Sequence, residues 1–284
     1  MNRVALALGA HPIRTAKLHD GSSFLVDLRA HTEWHAFFSG RYDDLWVDLC
    51  VAGLRPGEIF LDVGANIGIF TVRVARNSKV VERSIAFEPF PPNVARLREN
   101  LALNAVSERV NVHHYGLSDA DTTANLTLRL DFQQGSATGN AAISISPEAD
   151  QDFETVEIPL RRLDAIAADL PQHPVGVIKI DIEGHEDQFF VGGQETLARH
   201  RPLIVTEICK DYCDWKGVTL EQAYRQKIPE NYLMFRENMT GRTRARDHLE
   251  AGALVAFDDF DTLPALVNIL LCPAEKTDRI AAFL

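Results

Sequence analysis

The stretch that decides the fold is "IFLDVGANIGIFTVRVAR", residues 59–76. Apolar, β-favouring residues lead into Asp62, then Gly64 and Gly68 follow with G-x-x-x-G spacing, and an apolar pattern of helical period comes next. In open α/β sheets, ligands bind in such a loop, beyond the carboxyl end of its strand. Glycine lets the main chain approach a ligand closely, and the following helix points free N–H groups at it. The stretch therefore predicts a site for a carboxylate or a phosphate.

Strands and helices alternate along the rest of the chain. Strand-like apolar runs occur at 84–89, 109–117, 175–182 and 202–208, and helical patterns at 43–54, 91–104, 186–200 and 219–228. Segments 232–238 and 265–273 form a late, hairpin-like pair. Buried strands that alternate with helices indicate an α/β fold, with a mostly parallel sheet covered by helices on both faces. The late pair predicts one antiparallel strand near an edge.

The composition limits the function classes. The chain has 284 residues and a formal net charge of −11, and an acidic surface repels phosphate backbones, so we expect no nucleic-acid partner. No segment approaches the ~20 apolar residues of a membrane span, and the apolar run in "MNRVALALGAHP" is shorter than that of a signal peptide. The four cysteines are too few and scattered for a disulfide framework. These features predict a cytoplasmic protein with buried or incidental thiols.

Two acids indicate which nucleotide the loop would hold. Glu88 ends the next strand, and an acid there accepts hydrogen bonds from both ribose hydroxyls. The spacing after Asp62 lacks the G-x-G-x-x-G fingerprint of dinucleotide folds, and a carboxylate repels pyrophosphate but attracts an amino group. A ligand with an amine, a carboxylate and an adenosine is S-adenosylmethionine. We expect contacts to its methionine end from Asp62, Gly64, Asn66 and Gly68, to its ribose from Glu88, and to its adenine from Ser118 and Asp119.

The motifs "FLDVGANIGIFT", "AFEPFPPNVARLRENLALN", "GLSD" and "IKIDIEGHE" resemble, in order and at fitting intervals, those of FkbM-type S-adenosylmethionine-dependent methyltransferases. The resemblance covers roughly residues 40–210. It implies a Rossmann-like, seven-stranded class I methyltransferase sheet and O-methylation of a hydroxyl on a sugar, polyketide or other small molecule, with S-adenosylhomocysteine as product. We expect an N-terminal strand/helix lid segment (1–55) and a methyltransferase domain (56–284). Aromatic candidates for the lid are Trp34, Phe37, Phe38 and Tyr42.

The run "KIDIEGHEDQ" supplies the candidate catalytic residues. Alternation along the strand places Lys179 and Asp181 on one face. His185 is the preferred general base because its ordinary pKa lies near neutrality, with Asp181 or Glu183 as its orienting partner; Asp181 is also a candidate cofactor contact. In the alternative interpretation, Glu183 and Glu186 cap the next helix and His185 lies on the surface. Asp181 and Glu207 could imitate a divalent-metal site, but the sequence offers no third hard ligand.

Other interpretations stay open. N- and carboxyl-methyltransferases share this fold, and a cofactor-binding scaffold would use the same loop without turnover. The glycine spacing disfavours an NAD-dependent oxidoreductase. The basic run at 236–248 would grip a phosphate of a substrate or form a solvated loop. Acceptor specificity is expected to come from the N-terminal segment and from the segments at 131–150 and 210–250.

Overall fold

The computed structural model describes residues 11–79, 81, 83–143, 150–238 and 252–284. Its strands are β1 (Ile13–Lys17), β2 (Ser23–Asp27), β3 (Ile59–Val63), β4 (Arg83–Phe87), β5 (Val110–His113), β6 (Gly116–Leu117), β7 (Thr122–Leu128), β8 (Ala141–Ile143), β9 (Glu154–Arg161), β10 (Val175–Ile180), β11 (Leu203–Cys209), β12 (Tyr232–Glu237), β13 (Leu254–Phe257) and β14 (Leu266–Pro273). Its helices are α1 (His31–Ser39), α2 (Asp44–Gly53), α3 (Ile69–Asn77), α4 (Pro91–Leu103), α5 (Leu130–Gln133), α6 (Leu163–Ile166), α7 (Glu186–Gly192), α8 (Gln194–His200) and α9 (Lys210–Lys216).

Within the described ranges, the main sheet has eight strands in the order β13-β12-β14-β11-β10-β3-β4-β5. Strands β5, β4, β3, β10 and β11 are parallel, and β14 runs antiparallel between β11 and β12. The predicted α/β fold is confirmed, with its antiparallel strand near one edge. The further strand, β13, pairs antiparallel with β12; at four residues, it is too short for its sequence to be distinguished from a turn.

Helices cover both faces of this sheet. Along β3, Ile59 and Leu61 belong to the core on one face, under α6, α7 and α8, whereas Phe60 belongs to the core on the other face, under α2 and α3. This division follows from the alternation of side chains along a strand. Because both faces are buried, the strand reads as a continuous apolar run, and Asp62 stands out as the charged residue within it.

A second sheet, here called the insert sheet, lies in the chain between β5 and β10, with the order β6-β9-β7-β8. The strand predicted at 109–117 is divided, because β5 ends at His113 and Gly116–Leu117 pairs with β9 instead. The segment 131–150, a polar stretch for which the sequence predicts no strand or helix, carries most of the short α5 and the short β8 in its described part. These elements were missed because α5 has four residues and β8 has three, too few to show a periodic pattern.

The N-terminal segment packs against α3 and α4 through a shared apolar core. Buried Arg73 on α3 forms ion pairs with Asp20 at 2.8 Å and Asp44 at 2.7 Å, and it donates to the carbonyl oxygen of Tyr42. The helix predicted at 43–54 is confirmed as α2, whereas α1 was not predicted. Arg73 thus fixes Tyr42 and its neighbour Asp43 beside the carboxyl ends of the strands.

Two predicted helices differ from the structure. The helix expected at 186–200 is divided into α7 and α8 at Gly193, and a Cβ on Gly192 would overlap the carbonyl oxygen of Ser118. The break therefore lets the main chain pass close to the loop after β6. The helix expected at 219–228 is reduced to a π-helical turn over Glu221–Arg225.

Most of the basic run at 236–248 lies outside the described residues. In the part of the chain that is described, each helix is too short or too polar to cross a lipid bilayer. The four cysteines are unpaired, and Cys50, Cys213 and Cys272 are buried as expected.

Candidate functional site

A cavity of about 400 Å³ lies at the carboxyl ends of β3, β4, β10 and β11. Its floor is formed by the loop after β3 and by the residues that follow β4 and β10, and the insert sheet lines its side. The start of α1 and the aromatic Tyr42 add one wall, and Tyr212 of α9 adds another. Parallel strands bring their carboxyl ends to one edge, so residues distant in sequence converge here.

The two glycines of the loop after β3 have different roles. Gly64 lines the cavity with φ of +80°, and a Cβ there would overlap the main-chain carbonyl of Asp181. Gly68, with φ of +90°, caps α3, and a Cβ there would overlap Leu97. Gly68 is not among the cavity-lining residues, so the structure gives it a packing role, whereas Gly64 permits the close approach of two strand ends.

Glu88 lines the cavity and is bonded to the neighbouring loop. Its Oε2 accepts from the main-chain N–H of Asn66 at 2.8 Å, and its Oε1 accepts from that of Phe90 at 2.9 Å. Burial raises the pKa of Glu88 to about 7, against these N–H bonds, which lower it. Asn93 Nδ2 also donates to Oε1, at 3.5 Å. Oε2 therefore retains a free lone pair and is able to accept a further hydrogen bond, as from a ribose hydroxyl.

Asn66 lines the cavity in the left-handed conformation, with φ of +50°. Its Nδ2 donates to Asn140 Oδ1 at 3.1 Å, which connects this loop to the insert, and its buried Oδ1 has no hydrogen-bond partner. A buried, unpaired amide oxygen is costly unless it receives a donor. Asn66 Oδ1 is therefore a further acceptor for a polar ligand.

The three charged residues Asp62, Lys179 and Asp181 form a row. Lys179 Nζ lies 3.2 Å from Asp181 Oδ2 and 3.9 Å from Asp62 Oδ1, which confirms that Lys179 and Asp181 share a face. Burial alone would lower the pKa of Lys179, but the charges of Asp181 and Asp62 raise it. Asp181 and Lys179 line the cavity, whereas Asp62 is fully buried beneath it and accepts from Thr71. The structure thus places Asp62 behind Lys179.

Ser118, Asp119 and His185 form a hydrogen-bonded group at the insert. Ser118 Oγ lies 3.0 Å from Asp119 Oδ1, to which it donates, and 2.9 Å from His185 Nε2. Since the serine has one hydroxyl hydrogen, Nε2 is the protonated nitrogen and Nδ1 has the lone pair. Burial and the nearby Lys216 lower the pKa of His185 to about 4. His185 lines the cavity; Ser118 and Asp119 do not.

The apolar part of the cavity lies beside this group. It is lined by Pro89, Leu117, Leu126, Ile158 and Leu160. The insert sheet supplies four of these side chains, all but that of Pro89. An apolar surface of this kind suits the faces of a heteroaromatic ring. The sequence predicts strands at Leu117 and at Ile158 and Leu160 but not at Leu126, and it does not show that these strands pair into a sheet beside the cavity.

Glu183 is held in an unusual conformation by α9. Its φ is +54°, and the next residue, Gly184, has φ of +90° with no room for a Cβ beside the Tyr212 ring. Tyr212 donates its hydroxyl to Glu183 Oε2 at 3.0 Å, and Lys216 Nζ donates to the Gly184 carbonyl at 2.6 Å. The left-handed conformation is strained for a residue with a Cβ, and such strain in a cavity makes Glu183 a candidate functional residue. Tyr212 was missed by the sequence analysis.

The end of the cavity beside α9 is acidic. Burial and the charge of Asp181 raise the pKa of Glu183 to about 7. Burial and the charges of Asp181 and Glu183 raise the pKa of Glu207 still further. The pair therefore retains at least one proton at neutral pH. Among the described residues, no group of three or more His, Cys, Asp or Glu side chains is arranged to hold a metal ion.

Of the aromatic residues expected in the lid, Tyr42 lines the cavity, whereas Phe38 contacts both Trp34 and Phe37 along α1.

Comparison with known proteins places this geometry in a family. The chain is 26% identical over 179 residues to the 31-O-demethyl-FK506 methyltransferase FkbM of Streptomyces tacrolimicus, covering 54% of this chain and 68% of that protein. It is 26% identical over 166 residues to the 2-O-methyltransferase NoeI of Sinorhizobium fredii, covering 54% and 64%. It is also 28% identical over 197 residues to the AMB antimetabolite synthetase AmbE of Pseudomonas aeruginosa, covering 58% of this chain but 9% of AmbE.

The chain is 18% identical in sequence to methyltransferase FkbM from Methylobacillus flagellatus, for which a crystal structure is known. The two structures superimpose with a TM-score of 0.45 over 77% of this chain and 44% of that one. The model of the methyltransferase FkbM domain matches residues 62–234, well over half of the chain. That match includes the loop after β3, Glu88, the run from Lys179 to Glu186 and Glu207. The chain belongs to the FkbM methyltransferase family.

Proposed function

We propose that this protein transfers a methyl group from S-adenosylmethionine to a hydroxyl of a small acceptor, in the cavity described above. One observation carries the proposal. A single cavity joins the close-approach loop at Gly64, the acceptor carboxylate of Glu88 and the charged row of Lys179 and Asp181. These are the groups that an amino acid joined to a nucleoside requires. The names of the relatives FkbM and NoeI support methylation at oxygen.

The residues fit the methyl donor as follows. Glu88 Oε2 has a free lone pair for a ribose hydroxyl, and the Oδ1 of Asn66 offers one further acceptor beside it. Asp181 and the main chain around Gly64 receive the zwitterionic tail. Asp62 acts indirectly, because it holds Lys179, which in turn pairs with Asp181. The adenine lies against the apolar wall, with Ser118 and Asp119 behind it.

The bound donor supplies an activated methyl group on its sulfonium. In the transfer, the acceptor oxygen forms a bond to the methyl carbon, the carbon–sulfur bond breaks with its electron pair remaining on sulfur, and the hydroxyl proton leaves to a base. We assign Glu183 as that base, since its pKa of about 7 matches neutral operation. His185, with a pKa of about 4, is a weaker base and is held by Ser118. Tyr212 orients Glu183.

The acidic end of the cavity bears on the alternatives. A carboxylate acceptor would be repelled by Asp181 and Glu183, so carboxyl methylation is disfavoured. An amine acceptor would be tolerated there, and N-methylation is the second candidate. A scaffold without turnover would bind the donor and yield no product.

The test is incubation of the protein with donor labelled in the methyl group and a panel of alcohols, sugars, amines and carboxylic acids. We expect label in base-stable ethers and the release of S-adenosylhomocysteine, unchanged by a chelator. If label appears only in amines, the reaction is N-methylation and the proposed O-methylation is wrong. Donor binding without label in any acceptor would support a scaffold and contradict the proposal.

A further inference from the structure

A side chain at the end of an insert-sheet strand contacts α9. Arg129 follows β7, and its guanidinium carbon lies 5.9 Å from the ring centre of Tyr212 and 5.5 Å from that of Trp215. The two rings meet edge to face, with centres 5.4 Å apart. Cation–π contacts of this length are attractive, most of all for arginine over tyrosine and tryptophan. The insert is therefore attached to the aromatic pair of α9.

Other contacts fix the guanidinium in this place. Asp150 Oδ1 accepts from Arg129 Nη2 at 3.3 Å, and the buried Nε has no hydrogen-bond partner. Trp215 is 55% exposed, so the indole is not held by an apolar core. The arrangement of Arg129 over two rings thus depends on the rings themselves and on Asp150.

The phenol below Arg129 is the one that donates to Glu183. Tyr212 OH lies 3.0 Å from Glu183 Oε2, and its ring packs on Gly184. We propose, on the basis of the function proposed above, that Arg129 is a positioning residue: it holds Tyr212 against Glu183 and so couples the insert to the base that receives the acceptor's proton. Arg129 does not line the cavity, so it would act through Tyr212.

The sign of the effect follows from the groups around Glu183. The groups that influence its carboxyl are Asp181 and Lys179 at the end of β10, Glu186 on α7, Glu207 on β11 and Tyr212 on α9. The Tyr212 hydrogen bond lowers the pKa of Glu183, whereas the acids and burial raise it. Loss of Arg129 frees the phenol, weakens the hydrogen bond from Tyr212 to Glu183 and thus raises the pKa of Glu183.

The experiment compares wild type with Arg129→Ala, Arg129→Lys and Arg161→Ala. Arg161 is a matched control: it lies on β9 of the same sheet, is 53% exposed and pairs with Asp121 at 3.9 Å. Carbon-13 NMR of the glutamate carboxyls, with the Glu183 signal assigned from its loss in Glu183→Gln, measures the pKa of Glu183 without any acceptor. The pH dependence of kcat is measured in parallel.

In Arg129→Ala we expect an upward shift in the pKa of Glu183 of about 0.5 or more, roughly threefold in the proton equilibrium. The rising limb of kcat should move with it, while KM and the Kd of S-adenosylhomocysteine stay within about twofold. The pKa of Glu183 should shift less in Arg129→Lys and should not shift in Arg161→Ala. An unshifted Glu183 in Arg129→Ala, or an equal shift in Arg161→Ala, overturns the proposal. If wild type methylates no acceptor, the proposed function fails, and the NMR comparison still decides the role of Arg129.

Discussion

The main-chain N–H of Asn66 donates to Glu88 Oε2 at 2.8 Å, so the loop after β3 and the acid after β4 form one hydrogen-bonded unit. This contact crosses from one parallel strand to the next at the edge where ligands bind in open α/β sheets. It also explains why an acid is needed at the end of β4: a carboxylate has enough lone pairs to serve the loop and a ligand together.

Glu88→Ala should weaken binding of S-adenosylhomocysteine. Hydrogen bonds to a charged group contribute about 1.5–3 kcal/mol each, and losing the ribose contact at this level predicts an affinity lower by about 10- to 100-fold. Isothermal titration calorimetry measures it. Glu99→Ala, an exposed acid on α4 that pairs with Arg96, is the control. Equal Kd values in Glu88→Ala and wild type would remove the ribose assignment.

Gly64 and Gly57 provide a matched pair. Both have φ near +80°, but a Cβ on Gly64 would overlap the Asp181 carbonyl, whereas nothing lies within 4 Å of one on Gly57. Alanine in this conformation costs about 1–2 kcal/mol at either position, and the overlap adds about 1–3 kcal/mol at Gly64 alone. In urea unfolding, Gly64→Ala should therefore have a clearly lower free energy of unfolding than Gly57→Ala. Equal losses of stability would mean that Gly64 serves only its backbone conformation.

The row of Asp62, Lys179 and Asp181 predicts strong coupling. Lys179→Met leaves the fully buried Asp62 without its cation, and breaking a buried pair from one side costs about 3–5 kcal/mol. In the double variant Asp62→Asn with Lys179→Met, much of that stability should return. Denaturant unfolding of the two single variants and the double variant measures the coupling. Additive losses would show that Asp62 does not act through Lys179.

The choice of base is tested at Glu183 and His185. Removal of a general base lowers kcat by about 10²–10⁴-fold, and we expect this of Glu183→Gln, with cofactor affinity nearly unchanged. Since burial lowers the pKa of His185 to about 4, His185→Gln should reduce kcat far less. Single-turnover rates with labelled donor give both values. The reverse ranking would restore His185 as the base.

Stability should depend on pH through Glu33. This residue of α1 is buried and accepts from Thr138 and from the main chain of Asp27, and burial raises its pKa to about 7. Because the unfolded value is about 4.3, the folded state binds the proton more tightly. The contribution to stability is full at low pH and is lost as the pH rises through about 7.

The Tm should therefore fall between about pH 5 and pH 7.5, and fall less in Glu33→Gln. Burial raises the pKa values of Glu88 and Glu186 as well, so part of the dependence of Tm on pH should remain in Glu33→Gln. Glu99→Gln serves as the exposed control. The same slope in wild type and in Glu33→Gln would contradict this assignment.

Much of the main sheet could be predicted from sequence, because its strands are buried on both faces and read as continuous apolar runs. Gly64, Glu88 and Asp181 could be placed at the cavity for the same reason, since strand ends of a parallel sheet share one edge. Tyr212 and Arg129 could not be placed there from sequence. Tyr212 contacts Glu183 from α9, and Arg129 contacts Tyr212 from the end of an insert-sheet strand. Their positions depend on tertiary contacts that leave no periodic signal.

The most direct test of the account is a crystal structure of the protein with S-adenosylhomocysteine. We predict the ribose hydroxyls within hydrogen-bonding distance of Glu88, the amino-acid tail beside Gly64 and Asp181, and the sulfur facing the space next to Glu183. A nucleoside bound elsewhere on the protein, or bound in the cavity with its ribose away from Glu88, would contradict it.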